Sequence, residues 1–297
     1  MLINKANMTG MFTAFKAMAS ASAASAKKVD IVGLGLVLDM PVTQVSVDYS
    51  QLQDISDMRE WVGEREIKRQ KGQKLVISCV EYERTVEVKK RDIESDALGL
   101  IQANVRQMAA NSALKPQKMF ASFLENASTT LSIDGQYLLD TDHEGSAGSS
   151  QSNVSSNTFT YDNLVTADVA MMNFTNTDGD KVGAKGTHLV VGPANLHAAR
   201  RFVESENIPG SGNNDTNTLE GAFEIVLIPE LGSKWFLIDA GKEYKAAVWQ
   251  HRKLPEFAAV TDMDDSYVFL NNAYLFGTDA DWVVGPGVWQ AIYGGGF

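Results

Sequence analysis

Alternating apolar and polar positions predict a long β-hairpin in the first third of the chain. Residues 74–90, KLVISCVEYERTVEVKK, alternate for much of their length, which is typical of a strand. We interpret residues 59–91 as both arms of the hairpin, with a turn at RQKGQK, where Gly72 supplies a permissive backbone. An isolated hairpin is marginally stable in water, so we expect this one to pack on something outside itself.

Helical periodicity follows directly. Over residues 92–126, apolar side chains recur at intervals of three and four, which gives one apolar face. The residues of this face are Leu98, Ile101, Val105 and Met108. Proline disfavours helix in the residue before it, so Lys115-Pro116 predicts a break, with a second helix after it. The two helices together predict a bent rod of about 40 Å, at about 1.5 Å per residue.

A shorter helix is predicted near the start of the chain. Phe12, Phe15 and Met18 recur at intervals of three, which indicates an amphipathic helix. The surrounding sequence offers it little to pack against, so we consider another subunit as its partner.

The remainder of the chain mixes the two periodicities and predicts an α+β fold in one interwoven body. Helices are predicted at residues 162–173 and after Pro193, while residues 144–158 and 208–220 are rich in Gly, Ser and Asn and predict flexible loops. The predicted strands lie within residues 42–50, 187–193, 222–231, 234–240 and 244–260.

Composition narrows the class of protein. The chain has 297 residues, 44% of them hydrophobic and 21% charged, which is typical of a folded domain with a sizeable core. Cys79 is the only cysteine in the sequence, so an internal disulfide is excluded, and we interpret it as a buried small hydrophobe. No apolar run approaches the roughly 20 residues of a membrane-spanning helix.

The distribution of charge is more informative than its total. The net charge of −11 disfavours a nucleic-acid-binding protein. Residues 59–91 carry ten Lys/Arg and six Glu, whereas residues 92–297 carry a net −14. A basic segment on an acidic body predicts either an anionic ligand or contact with the acidic body of a neighbouring copy.

Candidate chemistry is concentrated in SIDGQYLLDTDHEG, residues 132–145. Asp140, Asp142 and His143, with Glu144, could hold a divalent metal or do acid–base work. Their spacing matches neither a zinc site nor a calcium loop, and Asp and His in turns commonly hydrogen-bond the local backbone. We therefore favour a structural loop and predict no metal, cofactor or catalytic residue. The sequence also lacks nucleophile-elbow, P-loop and dinucleotide-binding motifs.

Five stretches, in order and spacing, carry a resemblance to a known family. They are DMREWVGER (57–65), DGQYLLDTDH (134–143), LVVGPANLHAARRFVES (189–205), KWFLID (234–239) and HRKLPEF (251–257). Over about residues 50–293 the chain resembles the Mu-like phage major head subunit (T protein) family. It departs from that family at Leu139, where an aromatic is common, and at Glu144, where Pro often follows the His.

The resemblance implies a Hong Kong 97-type capsid fold. The expected parts are an N-terminal arm (1–50), an E-loop hairpin region (51–93), a spine helix with the first part of the peripheral domain (94–160), an axial domain (161–260) and a return segment to the peripheral domain (261–297). It also implies a non-enzymatic protein.

The implied function is that of a major capsid protein of a tailed phage or prophage, assembled in the bacterial cytoplasm into hexamers and pentamers. The shell would enclose double-stranded DNA without sequence-specific binding, and scaffold, portal and decoration proteins are candidate partners. We expect Asp134, Gly135, Asp140, Asp142 and His143 to shape the loop after the spine helix. We expect the intersubunit contact to use a set from the basic segment, namely Trp61, Arg65, Lys68, Arg69, Lys71 and Lys74.

Two alternatives stay open at this point. One is an encapsulin-like nanocompartment shell, with the same fold and no DNA. The other, of a different class, is a metal-dependent hydrolase using Asp140, Asp142 and His143.

Overall fold

The computed structural model describes residues 5–26, 28–50, 74–95, 98–145, 148–208, 215–262 and 264–297. The helices in these ranges are α1 (Lys5–Ser25), α2 (Lys90–Glu94), α3 (Leu98–Glu125), α4 (Tyr161–Asn173), α5 (Leu196–Glu204) and α6 (Ser266–Asn271). The strands are β1 (Val37–Pro41), β2 (Ser46–Asp48), β3 (Val76–Ser78), β4 (Val80–Lys89), β5 (His143–Glu144), β6 (Ser150–Gln151), β7 (Val154–Ser155), β8 (His188–Val191), β9 (Glu224–Leu227), β10 (Trp235–Ile238), β11 (Ala247–Val260), β12 (Ala273–Pro286) and β13 (Ile292–Gly295). No helix in the described part of the chain is long and apolar enough to cross a membrane.

A four-stranded sheet of long strands forms one half of the fold. Its order is β1-β11-β12-β4, with β1 parallel to β11 and the other pairs antiparallel. The long helix α3 packs against β12 and β4, and α1 packs against α3 and β11. A buried cluster fills the space between these helices and the sheet, and it includes Phe15, Val105, Tyr274 and Phe276.

A mixed five-stranded sheet forms the other half, in the order β7-β13-β10-β8-β9. Helix α4 packs on β13, and α5 packs on β8 and β9. The four residues of β10 are all buried, so this strand is the centre of the largest apolar cluster. This burial on both faces explains why WFLI is a continuous apolar run rather than an alternating one.

Helix α1 is confirmed as a helix, but its partner lies within its own chain. Phe12 stacks on Phe257 with ring centroids 5.6 Å apart, and Phe15 meets Phe276 edge-on at 5.3 Å. Interpreting another subunit as the partner of this helix was therefore wrong for these two side chains. The pattern identified the apolar face, whereas distant strands provide the surface that covers it.

The predicted break at Pro116 is wrong, because α3 continues from Leu98 to Glu125 through this proline. Proline removes one backbone hydrogen bond and crowds the preceding turn. Buried side chains on both sides compensate, with Val105 before the proline and Phe120 and Leu124 after it, all 0% exposed. At about 1.5 Å per residue the helix is about 42 Å long, close to the expected rod.

Part of the predicted hairpin can be compared with the structure. Val76–Ser78 and Val80–Lys89 form strands, as expected, but β3 pairs with β2 and β4 pairs with β12, and Lys90 already begins α2. The other arm and the turn, residues 59–73, lie outside the described residues.

The prediction that residues 144–158 are only a flexible loop is wrong. β5 pairs with β6, and β7 pairs in parallel with β13, the strand next to β10. Asn153, between β6 and β7, is fully buried. The segment has the composition of a loop, but the side-chain amide of Asn153 hydrogen-bonds backbone groups rather than solvent.

The two sheets exchange strands across the predicted domain boundaries. β11 lies in the segment expected as axial domain, yet it belongs to the four-stranded sheet with β4 and β12. β13 lies in the expected return segment but belongs to the five-stranded sheet. The division into arm, peripheral and axial domains stays a prediction.

A buried polar group lies where the chain leaves β2. The Tyr49 hydroxyl donates to Gln250 Oε1 at 2.8 Å, and Gln250 Nε2 lies 3.1 Å from Cys79 Sγ. Cys79 is buried, as expected. Burial, and to a smaller extent the proximity of Cys79, raises the pKa of Tyr49 to about 12.

We expect this tyrosine to limit stability at alkaline pH. In the unfolded state Tyr49 would ionise near the ordinary tyrosine pKa of 10.0, while in the folded state it keeps the proton to about 12. The contribution of Tyr49 is therefore fully present below pH 10 and is lost as the pH rises through 12. Denaturant titrations from pH 8 to 12 should show a steeper loss for the native chain than for Tyr49→Phe. Parallel pH profiles would contradict the prediction.

Candidate functional site in the loop after the long helix

His143 lies at the centre of the candidate site and is completely buried. Its ring stacks on Trp289, with centroids 4.1 Å apart and planes within 5°. Phe174, at the end of α4, meets the same indole edge-on at 5.0 Å. The histidine is therefore part of an aromatic stack between the loop after α3 and the segment that joins β12 to β13.

Both ring nitrogens of His143 face hydrogen-bond acceptors. Nδ1 lies 2.6 Å from Asp134 Oδ2, and Nε2 lies 3.2 Å from Asn153 Oδ1. The orientation of the Asn153 amide follows from its own contacts, since Nδ2 donates to the carbonyl oxygens of Leu138 (2.8 Å) and Trp289 (3.1 Å). Each ring nitrogen of His143 thus has a hydrogen-bond partner within the loop network.

Asp140 shapes the backbone around the histidine. Its carboxylate accepts from the N–H of Thr141 at 2.7 Å and of Tyr137 at 3.4 Å, while its own N–H donates to Asn153 Oδ1 at 2.9 Å. Asp142 is exposed, and a hydrogen bond with the Asp140 side chain, with smaller effects of desolvation and of repulsion by Asp140, raises its pKa. These two aspartates therefore interact with the loop and with each other rather than converging with His143.

Asp134 and Gly135 form the turn before this network. Asp134 Oδ1 accepts from the Gln136 N–H at 3.2 Å, and Gly135 has φ +87°, a conformation that favours glycine. Ser132 Oγ donates to the Gly287 carbonyl at 3.2 Å, which ties the turn to the chain after β12. Asp134 thus accepts a hydrogen bond from the turn on one carboxylate oxygen and contacts the His143 ring with the other.

This arrangement ties the loop together. Both ring nitrogens of His143 are taken up by hydrogen-bond partners of the network. In the described ranges, no group of three or more His, Cys, Asp or Glu side chains could hold a metal ion. The sequence identified Asp134, Asp140 and His143 correctly as neighbours. It gave no signal for Asn153 or Trp289, because tertiary packing brings these residues to the site.

The residues proposed for intersubunit contact are only partly described. Trp61, Arg65, Lys68, Arg69 and Lys71 lie outside the described residues, and Lys74 is exposed just before β3.

An acidic face on the four-stranded sheet complements this basic segment in charge. In register, Glu81 faces Asp281 and Glu83 faces Asp279 across β4 and β12, an arrangement of like charges that destabilises a bare sheet. Glu256 of β11 faces Asp279 from the other side. Five carboxylates are thus adjacent, and the described ion pairs bring only two cations to them.

Those two cations come from β11. Arg252 pairs with Asp281 and, at 3.3 Å, with Glu81, while Lys253 pairs with Asp279 at 2.5 Å. Hydrogen bonds to these aspartates raise the pKa of both Arg252 and Lys253. The carboxylates therefore outnumber the cations that pair with them in the described residues, and we call this surface the acidic face.

Solved structures with the same arrangement of elements are phage capsids and related particles. The procapsid of bacteriophage JBD30 aligns over 98% of this chain and 75% of that chain, with a TM-score of 0.59 and 23% identity. A virus-like particle from Pyrococcus furiosus aligns over 96% and 98%, with a TM-score of 0.55 and 8% identity. The chain therefore has the Hong Kong 97-type capsid fold that the resemblance implied.

The sequence family agrees with the fold. The family described as Mu-like prophage major head subunit gpT matches residues 6–160, 152–231 and 227–296, and the chain belongs to this family. The major capsid protein of Escherichia phage Mu is 24% identical over 242 residues, which is 82% of this chain and 59% of that protein. The chain thus spans about three fifths of the length of this curated relative.

Proposed function

We propose that the chain is a non-enzymatic major capsid protein. Copies self-assemble into the hexamers and pentamers of an icosahedral tailed-phage head, in the cytoplasm of the bacterial host. The head encloses double-stranded DNA without sequence-specific contacts, and the chain resides in the virion capsid. The observation that supports this most is the match of one head-subunit family along almost the whole chain, together with the capsid fold. Scaffold, portal and decoration proteins are further proposed partners.

The charge distribution supports a specific contact between adjacent copies. We propose that the basic segment, with Arg65, Lys68, Arg69, Lys71 and Lys74, lies on the acidic face of a neighbour, with Trp61 in the same contact. Opposite charges on two copies speed their encounter and fix their register. The residues of the loop after α3 have a structural role in this proposal. The hydrolase alternative is not favoured because Asp134 and Asn153 occupy both ring nitrogens of His143.

Light scattering with negative-stain imaging of the purified full chain tests the assembly. We expect megadalton particles or rings, whereas a 32.3 kDa monomer at every salt and protein concentration would contradict self-assembly. Elemental analysis of the same sample should find no stoichiometric metal. A bound metal that is lost in Asp140→Ala/Asp142→Ala would support the hydrolase. Nuclease-resistant DNA in particles from the native host would separate a phage head from an encapsulin-like compartment.

Charge reversal tests the contact in the same preparation. Replacing the five basic residues with Glu should weaken assembly and reduce its dependence on salt. Adding Glu81→Lys and Glu83→Lys to that variant should restore assembly. If assembly is unchanged in the first variant, or stays lost in the combined one, the proposed contact is wrong.

A further inference from the structure

A cavity lies between the helices α1 and α3 and the four-stranded sheet. Its volume is about 780 Å³, and a recess of about 530 Å³ between α3 and the strands β4 and β12 adjoins it. The cavity and the recess share lining residues, among them Met108, Pro255 and Trp282. Small-molecule ligands typically occupy cavities of roughly 300–1,000 Å³. The space under α3 is therefore elongated and large enough for a ligand.

Most of the cavity wall is apolar. Trp249 and Trp282 line its sheet side, and both are buried, with ring centroids 5.1 Å apart. The helix side includes Ala23 of α1 and Ala113 of α3. Because alanine has a small side chain, the two helices leave space here that larger side chains would fill. Met108, where the cavity meets the recess, has a flexible side chain that adapts to irregular space.

The charged groups of the cavity lie at its rim. The charged lining residues are all exposed, and they are Lys16, Lys28, Asp30 and Glu256. Both carboxylates have partners within the chain, since Asp30 Oδ1 accepts from the Gly33 N–H at 3.0 Å and Glu256 pairs with Lys253 at 3.4 Å. No ion pair among the described residues involves Lys16 or Lys28. The rim thus presents two cations to an anionic group.

We propose that the cavity binds a fatty acid, with its carboxylate at Lys16 and Lys28 and its acyl chain between the tryptophans and the helices. A flexible methylene chain can follow the elongated space past Met108, and its burial is favourable because the wall is apolar. The opposite charge at the rim orients the ligand and adds to its affinity. The site lies within a single chain, so it goes beyond the proposed function and can be tested whether or not particles form.

Titration of the purified full chain with octanoate, decanoate and dodecanoate, below the concentrations at which they form micelles, tests the site. We expect saturable binding of one acid per chain, with an affinity that rises about tenfold for each two methylene groups. Ala23→Leu/Ala113→Leu fills the cavity and should weaken binding at least about tenfold. Ala103→Leu, at an exposed position of α3 outside the cavity, is the matched control and should bind like the native chain.

The role of the rim is tested by charge. Lys16→Gln/Lys28→Gln should weaken binding of dodecanoate about tenfold and leave binding of dodecanol unchanged. The control Lys89→Gln/Lys118→Gln removes two exposed lysines outside the cavity and should change neither. Circular dichroism and thermal unfolding show whether each variant folds.

Three results would count against the site. The absence of saturable binding to the native chain would overturn the proposal. Equal affinity in a folded Ala23→Leu/Ala113→Leu chain would overturn it as well, because the acid would then bind elsewhere. An equal loss of dodecanoate and dodecanol in the Lys16→Gln/Lys28→Gln chain would overturn the assignment of the carboxylate to these two lysines.

Discussion

Gly295→Ala will destabilise the chain by about 3 kcal/mol, because a single methyl group has no room at this position. A Cβ built on Gly295 would lie 2.1 Å from Trp235 Cε2 and 2.2 Å from Cζ2. The indole cannot retreat, since it is completely buried and has Phe159 at 5.4 Å and Tyr293 at 6.2 Å between ring centroids. Relief of the clash between the new methyl group and Trp235 would require β13 to move away from β10, its antiparallel partner. Denaturant unfolding followed by tryptophan fluorescence measures the change.

The matched control is the same substitution at Gly10. This glycine lies inside α1, and a Cβ there would meet nothing within 4 Å. Alanine is the better helix former by about 1 kcal/mol, so Gly10→Ala should leave stability unchanged or raise it. A Gly295→Ala chain that unfolds at the same denaturant concentration as the native chain would contradict the close packing of β13 on Trp235.

His143→Phe will cost about 3 kcal/mol, although the new ring keeps the stacking on Trp289. Phenylalanine has no N–H, so the Asp134 carboxylate and the Asn153 carbonyl oxygen each lose a donor at a buried site. The loss should be largest in the segments that the network joins. Hydrogen exchange should therefore increase in residues 134–143 and 287–291, in addition to a lower unfolding midpoint.

Asp142→Asn tests whether stability depends on the hydrogen bonds of His143 or on the acidic residues around it. The Asp142 side chain is exposed, and the neighbouring Asp140 already disfavours its ionised form, so the unfolding midpoint should not change. Nuclear magnetic resonance of the native chain should find a His143 ring N–H protected from exchange with solvent, because the ring is buried and hydrogen-bonded. A rapidly exchanging ring N–H, or a native-like midpoint for His143→Phe, would show that the network does not hold the loop.

Local periodicity predicted the elements whose own sequence has a regular apolar spacing. α4 and the strands from β8 to β11 were predicted because their apolar spacing is regular and their ends carry turn residues. The prediction failed at Pro116 and at residues 144–158. In both places the local sequence disfavours regular secondary structure, whereas burial against the rest of the protein stabilises it. Both errors have the same physical origin, since packing against distant strands outweighs the tendency of a proline or an asparagine.

The candidate site was predictable in its location but not in its construction. Asp134, Asp140 and His143 are close in sequence, so their crowding was visible. The contacts that hold His143 in place involve Asn153, which lies in a segment predicted to be a loop, and Trp289, near the far end of the chain. No single-sequence pattern links residues at such separations.

The strand order of the four-stranded sheet also determines when the protein can fold during synthesis. β4 receives its partner only when β12 has been made, about 190 residues later, and Val37 of β1 pairs with Ala247. At about 5 to 20 residues per second the nascent chain would wait roughly 10 to 40 s for β12. During this interval the apolar faces of α1 and α3 have no sheet to cover them, since the aromatic partners of α1 lie in β11 and β12. We therefore expect folding to be slow and post-translational, with the newly made chain depending on chaperones to prevent premature association.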